Sequence, residues 1–389
     1  MARKAIKAQS AESAQGLFVE PGVLKGMIQT CVRGVLEEQL ARHVGAAPYE
    51  RTSERRGQRN GTKPRTMKTA VGELHFEVPQ VRQGGFRPTV FERYQRSDRA
   101  LVAGMQEMVV QGVSTRRVGA VLEKMAGFEV SATTVSRAMV ELDEEIARWR
   151  GRRLDEHSYP YLIIDARYEK ARVGGWVRSQ AVLVVAGITE EGRREILGFW
   201  TGDSESEATW SEVFMDLKRR GLSGVEMVVS DAHKGIRAAL ERRFQGVAWQ
   251  RCRVHLMREL LNKVDWRDRQ ELAADLRSIF VSEDQKRCLE VAHEVADKWE
   301  RRRPKMAAAL REGIADCLAA KSLGPRLWRR LCSTNMLERL MRELKRRTRV
   351  VGVFPGVVAL ERLVGALVIE TDEVWACETA RYLALEENA

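Results

Sequence analysis

The feature that most constrains this chain lies between Tyr159 and Ala232, where short apolar runs alternate with turns and one helical segment. Tyr161 to Ile164 is an apolar run ending at Asp165, and Gln180 to Ile188 and Arg194 to Trp200 read as two further strands. Glu207 to Arg220 is helical, and Val225 to Val229 is a buried strand ending at Ser230 and Asp231. Three consecutive strands, a helix and another strand imply a mixed sheet with helices packed on its faces, an α/β class. Val247 to Gln250 adds a last short strand before the chain turns helical for a long way.

A chain of 389 residues is too long for one compact core and fits roughly two to four domains. The first, residues 1–99, reads as an amphipathic helix from Pro21 to about Val44 and then a basic stretch from Arg51 to Lys68. Seven basic residues there, Arg55, Arg56 and Arg59 among them, accompany only Glu54. Gly57, Gly61 and Pro64 argue against regular structure, leaving a loop that is either solvated or in contact with phosphates. Leu74, Phe76 and Val78 then alternate with polar residues as in a half-buried strand.

Residues 100–150 read as three helices. Met105, Met108 and Val109 recur at helical spacing before Gly112; Ser114 and Ser131 stand where caps of the next two helices belong. Thr133, Thr134, Ser136 and Arg137 open the third helix on its polar side, with Val135, Met139 and Leu142 facing inward. This is a helix-turn-helix pattern, whose last helix would read base edges in the major groove; it is equally a plain helix trio. Residues 159–266 hold the first part of the sheet domain. Helical stripes between Asp268 and Leu327 make 267–327 a helical insertion, and 328–389 completes the sheet domain with C-terminal helices. In that last part a basic helix spans about Thr334 to Arg349, with Arg342, Lys345, Arg346 and Arg347 around Glu338 and Glu343, and a Val-Gly-Val-Phe-Pro stop follows.

Charge narrows the partners. Lys and Arg number 66 against 54 Asp and Glu, a net charge of +12, which points to a polyanion, with double-stranded DNA the first candidate. No apolar run approaches the roughly 18 residues of a spanning helix, and Lys4 and Lys7 are followed by no apolar segment of a signal peptide. The expectation is a cytosolic protein, nucleoid-associated when bound to DNA, with no membrane partner. Six cysteines lie far apart without a Cys-x-x-Cys pair, so they read as buried small hydrophobes rather than a disulfide or zinc framework.

Asp165 and Asp231 each close a buried apolar run, where open α/β sheets place ligand-binding groups. On neighbouring strands their carboxylates would converge, and two such anions repel unless a cation lies between them; hard oxygen ligands suit Mg²⁺. Glu338, on the basic helix, would be the third carboxylate. Taken singly, each Asp is also an ordinary turn residue and Glu338 an ordinary i,i+4 partner of an arginine. Their shared order and setting favour the site.

The strings YLIIDARYEKAR, VVSDAHKGI, QRCRVHLMREL and STNMLERLMRELKRRTRVVGVFP, with GELHFEVPQVRQGGFRP upstream, resemble the signature blocks of Mutator-type bacterial insertion-sequence transposases. The resemblance covers most of the chain. It implies an RNase H-like catalytic core interrupted by a helical insertion, a triad of Asp165, Asp231 and Glu338, and two Mg²⁺ ions, with Mn²⁺ as a substitute. It also carries Cys252 and His255 over from a Cys/Asp-x-x-His block, Lys345 as the basic residue after the glutamate, and Trp328 ahead of it. Cys332 with Ser333, and Met341, depart from the usual pattern. A zinc site on Cys252 and His255 lacks a second ligand pair, so His255 is expected to touch phosphate or support the core. Trp328 would stack on a displaced base or fill the core.

The expected activity is therefore Mg²⁺-dependent cleavage and strand transfer at terminal inverted repeats, into target DNA, by a homodimer or larger assembly. Two alternatives stand beside it: an RNase H-like structure-specific nuclease, and a non-catalytic helix-turn-helix regulator.

Overall fold

The computed structural model describes residues 21–82, 85–91, 97, 99–111 and 113–383. Lys4, Lys7, Gly112, and Gln83 and Gly84 of the upstream string lie outside the described residues. The chain divides into two compact units, 1–140 and 141–389.

In the first unit, helix α1 (Pro21–Val44) lies on a hairpin of β1 (Arg59–Thr69) and β2 (Gly72–Val81), burying Leu36 against Leu74, Phe76 and Val78. Alternation in β2 is the inward-outward pattern read from its sequence. β1 corrects the expectation of an irregular loop from Arg51 to Lys68: residues 59–69 are a strand, paired with β2 from Arg59↔Val81 to Thr69↔Gly72. The breakers are absorbed. Gly61 takes a left-handed backbone at the irregularity between Arg59 and Thr62, and Pro64 stands opposite Glu77 on an outer strand of a two-stranded sheet, where a proline is tolerated. Helices α2 (Arg99–Val110), α3 (Thr115–Ala126) and α4 (Ala132–Arg150) follow, with Leu101, Met105, Val118, Leu122, Val135 and Met139 forming one core. Both expected caps are present: Ser114 accepts from Arg117 N, and Ser131 Oγ accepts from Thr134 N at 3.2 Å.

The second unit is built on a five-stranded sheet. β3 (Tyr161–Val173), β4 (Trp176–Ile188) and β5 (Arg194–Gly202) are antiparallel in sequence; α5 (Glu207–Arg219) then leads to β6 (Met227–Ser230), and α6 (Lys234–Arg243) to β7 (Ala248–Arg251). The spatial order is β5-β4-β3-β6-β7, with β3, β6 and β7 parallel. Even-numbered Leu162 and Ile164 face one core, with Trp210, Phe214, Ile236 and Leu240 of α5 and α6. Odd-numbered Tyr161 and Ile163 face the other. Burial on both faces explains the unbroken apolar run.

β3 also corrects the position of Asp165. The strand does not end there but continues to Val173, because Gly174 and Gly175, both left-handed, turn it into a long hairpin with β4. What ends before Asp165 is the pairing with β6, at Ile163↔Val229.

After β7 the chain is helical: α7 (Arg253–Asn262), α8 (Arg269–Ser278), α9 (Gln285–Glu300), α10 (Pro304–Gly313), α11 (Pro325–Leu331), α12 (Asn335–Val351) and α13 (Val357–Ala376). The three expected stripes of the insertion are buried in α8 to α10, through Leu272, Leu276, Ala292, Trp299 and Leu310. Gly352 ends α12 in the left-handed region, and Phe354 bonds back to β3, its N donating to Lys170 O at 2.8 Å and its O accepting from Arg172 N at 3.0 Å. The Val-Gly-Val-Phe-Pro stop thus ties the basic helix to the strand that carries Asp165. Among the described residues, no helix is long and apolar enough to cross a membrane.

Candidate active site

Asp165 and Asp231 lie two residues beyond the same registered pair, Ile163↔Val229. Neighbouring parallel strands run about 4.8 Å apart, and the charge of Asp231 reaches the Asp165 carboxyl. By alternation Asp165 points to the same face as Ile163, where α12 packs. Its Oδ1 accepts from Ala166 N at 3.0 Å, and Asp231 Oδ1 accepts from His233 N at 3.3 Å. Burial pushes the Asp165 carboxyl up to about 6; the His255 and Ala166 contacts oppose this, and the Asp231 charge adds to it.

Cys252, between β7 and α7, ties the neighbouring elements together. Cys252 N donates to Ser230 O at 2.7 Å, Arg253 N to Cys332 O at 2.9 Å, and Thr334 N to Cys252 Sγ at 3.4 Å, joining the ends of β6, α7 and α12. Burial opposes ionisation of Cys252, but the neighbouring His255 and Thr334 outweigh it and lower its pKa. The Cys252 sulfur raises the His255 imidazole against burial, and the charges of Asp165 and Asp231 raise it further. His255 Nδ1 is buried and makes no hydrogen bond of ordinary geometry.

Asp165, His255, Arg258, Glu338, Arg342 and Lys345 line one open cavity of about 330 Å³, with Met341 and Thr334. The glutamate helix therefore faces the first aspartate across it. Glu338 is exposed and paired with Arg342 at 3.2 Å, one turn on. Among the described residues, no three His, Cys, Asp or Glu side chains are gathered closely enough to cage a metal ion. The oxygen donors suit a hard cation, and among the described residues neither Asp165 nor Asp231 is in an ion pair, His255 and Arg258 acting on Asp165 through their charge alone. Glu338 would have to turn from Arg342 to join them.

The other residues singled out from sequence separate. Arg342, Lys345 and Arg346 are exposed on α12, whereas Arg347 is turned inward, donating to Glu370 at 3.2 Å, because it lies on the buried stripe with Leu340 and Leu344. Trp328 is 7% exposed and stacked on Phe280 at 6.2 Å, with Lys321 over its ring at 4.8 Å. That is the core placement weighed from sequence. In the first unit Thr133, Ser136 and Arg137 are exposed and Thr134 is half-buried in the cap. Arg55 and Arg56 are exposed, and Arg59 is half-buried against Glu37 at 2.7 Å.

Sequence reasoning passed over Glu205. It sits just before α5, buried, and burial followed by the Asp231 charge raises its pKa, with Asp165 contributing too. Its only sequence signal is an acid-rich turn, Gly202-Asp203-Ser204-Glu205-Ser206-Glu207, which looks like a solvated cap.

Sheet and site together define an α/β protein with an acidic centre under a basic helix. Comparison with known proteins makes this particular. Residues 1–378 match the family described as "Transposase, Mutator family". The chain is similar to the transposase for insertion sequence element ISRM5 of Rhizobium meliloti, at 42% identity over 98% of this chain and 95% of that protein. It is similar as well to the transposase for insertion sequence element IS256 in transposon Tn4001 of Staphylococcus aureus, at 36% over 98% of each. A third relative is the transposase for insertion sequence element IS406 of Burkholderia multivorans, at 41% over 85% of this chain and 86% of that protein. The chain belongs to the Mutator family of transposases.

Proposed function

We propose that the chain is a DDE transposase that binds the terminal inverted repeats of an insertion sequence, cleaves DNA there and transfers the strands to target DNA. The observation that carries this reading is the β3–β6 register, because Asp165 and Asp231 each follow its last pair, Ile163↔Val229, by two residues, and Asp165 shares a cavity with Glu338. Three antiparallel strands followed, through a helix, by two parallel ones support an RNase H-like core, with α8 to α10 as its insertion.

Asp165 and Asp231, then Glu338, would hold divalent cations, two Mg²⁺ or Mn²⁺ in their place. Bound there, such cations supply Lewis-acid activation of an attacking oxygen and stabilisation of a departing one. Lys345, Arg342 and Arg258 around the cavity set positive charge where a phosphodiester would lie, and the raised His255 adds to it. The exposed start of α4, at Thr133, Ser136 and Arg137, supports a helix-turn-helix reader of the repeats, with Arg55 and Arg56 for phosphate contact. Assembly as a homodimer or larger on paired DNA ends completes the reading.

Asp165→Asn tests it, because amide for carboxylate removes charge and keeps volume. On terminal-repeat duplex with Mg²⁺, cleavage should fall on the order of a thousandfold while repeat binding is kept. Wild-type-like cutting by the variant would remove Asp165 from the chemistry. Preferred cutting of junctions or hybrids by the wild type would make the protein a structure-specific nuclease, and sequence-specific binding without cutting would make it a regulator.

A further inference from the structure

Glu205 is 6% exposed, and its Oε2 is shut off from solvent without a hydrogen-bond partner. A carboxylate oxygen in that condition is costly, and proteins keep one where a ligand or ion will take it. Among the described residues no Lys or Arg forms an ion pair with it.

The surrounding structure fixes Glu205 between the strand of Asp165 and the turn after Asp231. Tyr168, three residues beyond Asp165 on β3, accepts from Glu205 N through its hydroxyl at 3.1 Å. The preceding turn is held by Gln180 on β4, whose Nε2 donates to Asp203 Oδ1 at 2.9 Å. The following residue, Ser206, caps α5. On the other side, Gly235 in the first turn of α6 meets the same backbone. A Cβ there would lie 2.1 Å from Glu205 O and 2.8 Å from Ser206 C, so only glycine lets the two segments close. Burial and then the charges of Asp231 and Asp165 raise the Glu205 carboxyl, against His233 and a Tyr168 hydrogen bond that lower it. Among the described residues no cage of three such groups is preformed, so the acids would have to draw together around a cation that offsets their repulsion.

We propose that Glu205 is a fourth acidic residue of the active site, joining Asp165 and Asp231 in holding a divalent cation. The inference rests on the DDE reading and adds to its triad a carboxylate delivered from the start of α5. The donor is preset by burial, whereas Glu338 is exposed on a helix surface and has to turn inward.

Titrating the full-length protein into Mn²⁺ and following free Mn²⁺ by electron paramagnetic resonance tests this, with wild type, Glu205→Gln and Asp165→Asn compared. Melting temperature without metal and repeat-DNA binding report the fold. Glu205→Gln should weaken Mn²⁺ binding at least tenfold, with a metal-free melting temperature equal to or above wild type, since a repelled buried charge is gone. Wild-type Mn²⁺ affinity in Glu205→Gln, alongside loss in Asp165→Asn, would overturn the role of Glu205 and leave the aspartate pair standing. Absence of Mn²⁺ binding in the wild type would overturn both. A clear drop in the metal-free melting temperature of Glu205→Gln would make it a structural acid and overturn the proposal.

Discussion

In the helical insertion, buried Asp268 is met by Arg302 and by Arg303, whose Nε donates to it at 2.8 Å. Asp275 takes Lys298 and the Trp299 indole, each at 2.7 Å, and Arg311 pairs with both Asp297 and Glu300. At the end of the β3–β6 pairing, Asp165 has one backbone donor and Glu205 has an oxygen with none. The pKa directions follow: Lys298 and Arg302 hold Glu271 below the usual carboxylate range, while burial holds Asp165 at about 6. Burial alone does not make the difference. Asp372 is also raised by burial, yet the Ile196 amide, the Trp149 indole and Arg152 occupy its oxygens. The insertion neutralises its acids with ion pairs of its own, whereas among the described residues Asp165, Asp231 and Glu205 are in no ion pair and Asp165 feels His255 and Arg258 only through their charge.

This contrast can be broken by exchanging charge for amide in each region. Asp268→Asn should cost about 3 kcal/mol, the low end for a buried ion pair because its arginine partners are partly solvated. Denaturant unfolding of wild type and variant measures it, and an unchanged midpoint would mean that the insertion's pairs carry no stability. Glu271→Gln, on an exposed pair with Lys298 and Arg302, should scarcely move the midpoint. A loss as large as that of Asp268→Asn would show that exposure does not grade these pairs.

Much of this was legible in sequence where pattern is local. The runs ending at Asp165 and Asp231, the caps at Ser114 and Ser131, and the basic helix around Glu338 all rest on short-range periodicity. What escaped depends on residues distant along the chain. The choice between the two readings of Trp328 is made by Phe280 in the insertion, and β1 becomes a strand because β2 offers it a partner, despite Gly61 and Pro64. Arg347 reads as one more cation in a basic run, and only the rotation of α12 against the core turns it inward. Glu205 looks like a solvated cap in an acidic turn; its burial is set by Tyr168 and Gly235, neither adjacent to it.

The central claim, that the acids beyond the β3–β6 pairing hold a cation, is tested most directly by the melting temperature at pH 7.5 as Mg²⁺ is added. Wild type should gain stability with Mg²⁺, by about 2.7 kcal/mol at a hundred times the dissociation constant. Asp165→Asn and Asp231→Asn should start at or above the metal-free wild-type value and gain little, while Asp268→Asn should start lower and gain as much as wild type. Equal gains in all four proteins, or none in the wild type, would contradict the account.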